Sequence, residues 1–121
     1  DPALAALRHA QSASGAAAGR VNAMIGDALG QVLADVVRRA GVRRAVISGG
    51  DTSGHASRRL GLYALTTLAP TIPGASLFRA HSDDAAFDGL ELALKGGQMG
   101  TPDYFGWIRN GGGAEGRPTA G

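Results

Sequence analysis

Val46-Ile47-Ser48-Gly49-Gly50-Asp51-Thr52-Ser53-Gly54 is the stretch that decides the fold: a β-branched run stops at paired glycines and gives way to small polar residues. Val46 and Ile47 favour a buried strand, and the glycine pair lets the main chain turn without a Cβ clash. Asp51, Thr52 and Ser53 are all able N-caps, so the pattern predicts a helix that starts here and runs through Ala56–Leu60 until Gly61 stops it. Strand, glycine turn and helix start together make anion-binding geometry, because unpaired first-turn N–H groups and the positive end of the helix dipole point at whatever lies outside the turn. An ordinary strand-to-helix turn has the same pattern, so the spacing alone names no ligand. It is not a P-loop, since GxxxxGK[ST] is absent, and it misses the GxGxxG dinucleotide fingerprint. Asp51 would repel a bare phosphate, so a nucleotide here requires its carboxylate to face a magnesium-bridged phosphate, a ribose hydroxyl or main-chain amides.

Outward from that stretch, Val21, Met24, Ile25, Ala28, Leu29, Val32, Leu33, Val36 and Val37 recur at helical spacing and predict a helix from about Arg20, closed by Gly41 with Arg38 and Arg39 in its last turn. Upstream, Asp1–Leu7 reads as a helical turn with Pro2 at its first position, and residues 11–19 read as a loop or an interdomain connection. Downstream, Leu62–Leu68 reads as a strand broken by Pro70 and Pro73-Gly74, Ala75–Ala80 as a short strand and Leu90–Leu94 as a buried strand. His81–Asp84 reads as a turn, with a magnesium-binding pair at Asp83 and Asp84 as the sharper alternative.

Lys95-Gly96-Gly97-Gln98-Met99-Gly100 then repeats the first arrangement: strand, glycines, and a cap-like Thr101-Pro102-Asp103 before another helix. In open α/β sheets ligands bind beyond the carboxyl ends of strands, where both loops fall if their strands are neighbours. Lys95 can then supply a mobile positive charge to a phosphate. Tyr104-Phe105-Gly106-Trp107-Ile108 reads as packing a last helix onto the sheet, with a ring bordering an adenine as the alternative. Residues 111–121 read as a flexible tail. The fold class is α/β: a layered sheet with flanking helices, a Rossmann-like nucleotide-binding fragment over residues 20–110, preceded by an extension or connection at 1–19.

The composition suits one soluble domain with a thin, alanine-rich core: 121 residues, 44% hydrophobic, 18% charged. Twelve Lys and Arg against ten Asp and Glu, without aromatic interleaving, do not indicate nucleic-acid binding. The absence of cysteine fits a reducing, cytoplasmic setting, and no apolar run reaches the length of a membrane span. A first residue Asp1 rather than Met suggests part of something longer. His9, His55 and His81 lack metal-ligand spacing, so no metal site is expected from side chains alone. Asp51, Ser53 and His55 are too close in sequence to set nucleophile, base and orienter in a line, which disfavours a hydrolase.

Taken together, Ser48–Gly54 and the later Leu92–Phe105 resemble the C-terminal nucleotide-binding domain of the four-carbon acid sugar kinases, some of which also carry the label type III effector Hop or Hrp-dependent outer protein. The resemblance covers most of residues 20–110. It implies an enzyme that phosphorylates threonate, erythronate or 3-oxo-tetronate with ATP and magnesium, with the sugar acid held by an N-terminal domain. This chain would then be half an enzyme, inactive alone; a non-catalytic effector or regulatory module is the alternative. By that resemblance Gly49, Gly50, Asp51 and Thr52, flanked by Ser53 and Gly54, line the ATP phosphates. Gly97 approaches the nucleotide from the second loop, beside Lys95, Gly96 and Gln98. The second loop departs from the commoner lysine-serine-glycine-asparagine-phenylalanine-glycine form at Gly96, Gln98 and Met99. The resemblance names no catalytic base and leaves room for a homo-oligomer.

Overall fold

Two neighbouring strands that end at glycines set the frame. In the computed structural model, which describes residues 1–118, β1 (Arg44–Ser48) runs parallel to β4 (Glu91–Lys95), with Arg44 opposite Glu91 and Ser48 opposite Lys95. β3 (Ser76–Ser82) pairs antiparallel with β4 and with β2 (Leu62–Pro70), giving the order β1-β4-β3-β2. The sheet is therefore mixed: the short connections after β2 and β3 allow only antiparallel pairing, whereas β1 reaches its parallel neighbour through α2 (Gly50–Arg59), β2 and β3.

Alternation along the strands divides the core into two layers. Ile47 and Leu92 face one side with Ala56 of α2, beside a second group made by Ala34, Val37, Leu60, Ala80, Phe87 and Leu90. Leu77 and Ala93 face the other side with Tyr104, Trp107 and Ile108 of α3 (Tyr104–Arg109). The aromatic run thus packs the last helices onto the sheet as expected, except Phe105, which stays exposed. Arg44 ties β1 to β4 and to α3: its guanidinium pairs with Glu91 at 2.5 Å and donates to Arg109 O at 2.7 Å.

The first helix departs most from expectation. α1 (Pro2–Ala40) runs unbroken for 39 residues, so neither a loop at 11–19 nor a boundary near Arg20 exists. Alanine is the best helix former, and without an internal proline the helix carries through Gly15 and Gly19 despite their cost. Asp1 caps it, accepting from Ala3 N–H at 3.0 Å, and Gly41 ends it in the left-handed conformation. Its buried residues are Gly26, Gly30, Ala34 and Val37, all in the second half. Val21, Ile25, Leu29, Val32 and Val36 form a second, exposed stripe, of which Leu29, Val32 and Val36 line a groove with β1.

The end of the chain differs too. Residues 111–118 are packed rather than loose: Trp107 Nε1 donates to Gly113 O at 2.6 Å and Asn110 Nδ2 to Gly116 O at 3.1 Å, holding α4 (Gly113–Gly116) against α3. Hydrogen bonding from a buried aromatic and an amide replaces the apolar burial that the glycine-rich sequence lacks. Residues 119–121 lie outside the described residues.

Where α1 crosses α2, glycine is sterically required: a Cβ at Gly26 would stand 2.4 Å from His55 Cβ, and one at Gly30 2.8 Å from Arg59 Cβ. Gly26→Val is therefore expected to lower stability by about 1–3 kcal/mol in urea unfolding, whereas Gly19→Ala, which meets nothing, raises helix content by circular dichroism. In the β3–β4 turn, the Ala86 N–H first and the Arg38 guanidinium second hold the Asp84 carboxyl below its ordinary 3.8. A lowered folded-state pKa contributes stability above the unfolded value that is lost as pH falls through the folded one. Asp84→Asn should thus unfold at a lower temperature at neutral pH, with the gap starting to close as pH falls past about 4 and closing only below the lowered folded-state pKa, measured as thermal unfolding against pH.

Candidate functional site

Because β1 and β4 are parallel neighbours in register, the loops after them leave the same rim. Gly49 N–H donates to Lys95 O at 2.8 Å, fastening the start of one loop to the last residue before the other. The first loop is shorter than the sequence suggests. α2 begins at Gly50, with Gly49 as its N-cap at φ +112°, and no side chain caps it. Asp51, Thr52 and Ser53, expected as caps, instead sit inside the first turn, because the left-handed turn at Gly49 starts the helix immediately.

Intrahelical bonding begins with Ser53 N–H to Gly49 O at 2.9 Å, so the N–H groups of Gly50, Asp51 and Thr52 have no intrahelical acceptor. Ser53 is buried and its hydroxyl donates to Gly49 O at 2.6 Å, which braces the turn. The Asp51 carboxylate is exposed at the positive end of the helix, and the ion pairs Arg38–Asp84, Arg44–Glu91 and Arg117–Asp103 leave it out. Gly54 lies one turn in, with an imagined Cβ in ordinary contact with Arg58.

The second loop is exposed from Gly97 to Thr101. Met99 N–H donates to Gly96 O at 3.1 Å, closing a turn, and Gly100 takes φ +122°. Lys95 is not free: its Nζ donates to Gly96 O at 3.0 Å and Met99 O at 2.8 Å, approaches Gly97 O at 3.5 Å, and lies 5.9 Å from the centre of the Tyr104 ring. The expectation of a mobile charge is corrected accordingly, because the curled loop brings its own carbonyls to the ammonium. Beyond the loop, the Asp103 carboxyl takes the Thr101 hydroxyl and the Arg117 guanidinium, and the first of these is the main cause of its lowered pKa. Burial pushes the Tyr104 hydroxyl up, and Thr71 pulls it back only in part.

The structure thus brings Gly49, Gly50, Asp51 and Thr52 to one rim with Lys95, Gly96, Gly97 and Gln98. It keeps the other polar candidates away. Asp83 and Asp84 lie in the turn that enters β4, at the opposite rim, and Asp84 is engaged by Arg38. His55 Nδ1 faces Arg58 at 2.9 Å, while the Ser53 hydroxyl bonds main chain, so no nucleophile–base pair forms there. No group of three or more metal-ligating side chains occurs among the described residues. The rim is an open surface. A groove of about 260 Å³ between α1 and β1 reaches it at Ser48 and Thr52 but does not extend to the second loop. Gly100 is the rim residue that the sequence reading does not single out; its signal is a glycine three residues after Gly97, where a second reversal is needed.

The family described as "Nucleotide-binding C-terminal domain" matches residues 1–105. The chain belongs to that family. It is 39% identical over 111 residues to a 3-oxo-isoapionate kinase of Paraburkholderia graminis, covering 92% of this chain and 24% of the relative. It is 37% identical over 86 residues to a 3-oxo-tetronate kinase of Pseudomonas savastanoi pv. phaseolicola, covering 71% of this chain and 19% of the relative. The resemblance to sugar-acid kinases read from the two loops is borne out, and the chain spans only about a fifth to a quarter of these relatives' length. A crystal structure of a DUF1537 domain protein from Bordetella bronchiseptica, described as a citrate-bound, domain-swapped dimer, shares the fold. The TM-score is 0.60 at 22% identity, over 67% of this chain and 20% of that one. No helix among the described residues is long and apolar enough to cross a membrane.

The geometry at Gly49 carries its own test. At φ +112°, and with an imagined Cβ 3.3 Å from Thr52 Oγ1, Gly49→Ala is expected to cost about 1–3 kcal/mol, read from urea unfolding.

Proposed function

We propose that the rim built by the two glycine loops holds the phosphates of ATP, and that the chain is the nucleotide-binding part of a kinase acting on a four-carbon sugar acid or a close analogue. One observation carries the reading. Gly50 and Gly97 lie on the same rim, neither has a positive φ, and a Cβ on either would meet nothing within 4 Å. The protein's own packing gives no reason for glycine at either position. A ligand lying against bare main chain does, and the first-turn N–H groups of α2 point where its negative charge would rest. Family membership and the kinase names of the relatives agree with this.

Gly49, Gly50, Asp51 and Thr52 would line the phosphates from one side and Gly96, Gly97 and Gln98 from the other. Ser53 and Gly54 shape the turn from behind. Magnesium fits only as a phosphate-borne ion: Asp51 is an exposed carboxylate at the rim, and among the described residues it belongs to no group of three or more His, Cys, Asp or Glu, so the remaining ligands would be phosphate oxygens and water. When bound, the ion would offset charge on the transferring phosphoryl group. The γ-phosphoryl passes from ATP to an acceptor hydroxyl, leaving ADP, and holding the phosphates rigidly is this chain's part in that transfer. The acceptor and its base would come from the remaining length that the relatives possess. A cytoplasmic setting accords with the use of ATP.

Thermal unfolding with ATP or ADP and magnesium tests the reading. A ligand at about 100 times its Kd should stabilise the fold by roughly 2.7 kcal/mol. Because a side chain at position 50 enters open space, Gly50→Val is expected to unfold as the wild type does without nucleotide and to lose the nucleotide-dependent shift. No shift for the wild type at millimolar nucleotide, or a retained shift in Gly50→Val, would contradict the assignment.

A further inference from the structure

Lys95 ends β4 on the face covered by α3, and its ammonium is enclosed by main-chain oxygens of the loop that follows: Gly96 O at 3.0 Å, Gly97 O at 3.5 Å and Met99 O at 2.8 Å. A Cβ built on Gly100 would lie 3.8 Å from Lys95 Cε, so the loop folds closely around the stem as well as the head. In a planar trans peptide the carbonyl of one residue and the N–H of the next point in opposite directions, and the described chain holds no cis bond. Carbonyls 96, 97 and 99 turned toward the ammonium therefore turn the N–H groups of Gly97, Gln98 and Gly100 away from it. Met99 N–H is spent inside the turn, on Gly96 O.

We infer that Lys95 is a positioning residue: by gathering three carbonyl oxygens inward, it holds the main-chain amides of Gly97, Gln98 and Gly100 facing outward, where an anion on the rim can accept from them. The charge thus acts through the backbone it organises and not by touching phosphate itself. Without the ammonium, converging carbonyl dipoles repel one another and the turn opens. What those amides bind rests on the phosphate reading above; their turning away from the ammonium does not.

Lys95→Met keeps most of the stem and removes the donors, and Lys95→Arg restores charge and donors. Hydrogen exchange at the Met99 amide, followed in the ligand-free chain, is expected to speed up by about tenfold or more in Lys95→Met and to return toward the wild-type rate in Lys95→Arg. Affinities for ADP and ATP, measured by titration calorimetry, should fall by the same factor in Lys95→Met and recover in Lys95→Arg. An unchanged Met99 exchange rate would overturn the inference. So would a loss confined to ATP, which would mean direct contact with the terminal phosphate, or faster exchange with both affinities intact. The exchange measurement needs no nucleotide, so it separates the ordering of the loop by Lys95 from the phosphate reading: an unchanged rate overturns the first whatever the wild type binds.

Discussion

The parallel pairing of β1 with β4 is the constraint on which everything else depends. Its register sets Ser48 beside Lys95, so that two strands far apart in sequence stop at the same level and both of their loops leave one rim. At that rim the Gly49 N–H to Lys95 O bond extends the ladder by one step past the strands; at the other end the Arg44–Glu91 pair clamps their start. A slip of one residue would reverse every side chain, moving Ile47 and Leu92 out of the layer under α2. The buried faces of both strands therefore protect the alignment of the loops.

The second support is the close crossing of α1 and α2. Gly26 and Gly30 let His55 and Arg59 approach the α1 backbone, which fixes the axis of α2 and hence the direction in which its first-turn amides point. Small residues take this task because a larger side chain would lever the helix off the sheet. The buried residues of α1 and its exposed stripe are separate sets, so the helix is packed along only part of its circumference.

The two loops reach similar ends by different means. The first uses a positive-φ glycine and a buried serine to start a helix whose N–H groups stand free. The second has no helix at once; it curls around a lysine. In both, a polar side chain, Ser53 or Lys95, is spent on main-chain carbonyls behind the rim, and the rim itself keeps its glycines with Asp51, Thr52, Gln98 and Met99.

Much of this was legible in the chain itself. Val46-Ile47 before paired glycines, the spacing of Val32, Leu33, Val36 and Val37, and the repeat of strand and glycines at Leu92–Gly97 are local signals, and they determined the strands, the glycine loops, the end of α1 at Gly41 and the family. Where the sequence misled, local propensity was weighed too simply: Gly15 and Gly19 are tolerated in an alanine-rich helix, and 111–118, with little to bury, is held by Trp107 and Asn110. Tertiary structure alone decided that β1 and β4 are neighbours, that Asp83 and Asp84 fall on the far rim, and that Lys95 is enclosed by its own loop. Those depend on strand order and on how a loop closes in space, and neither is encoded in the spacing of residues along a single segment.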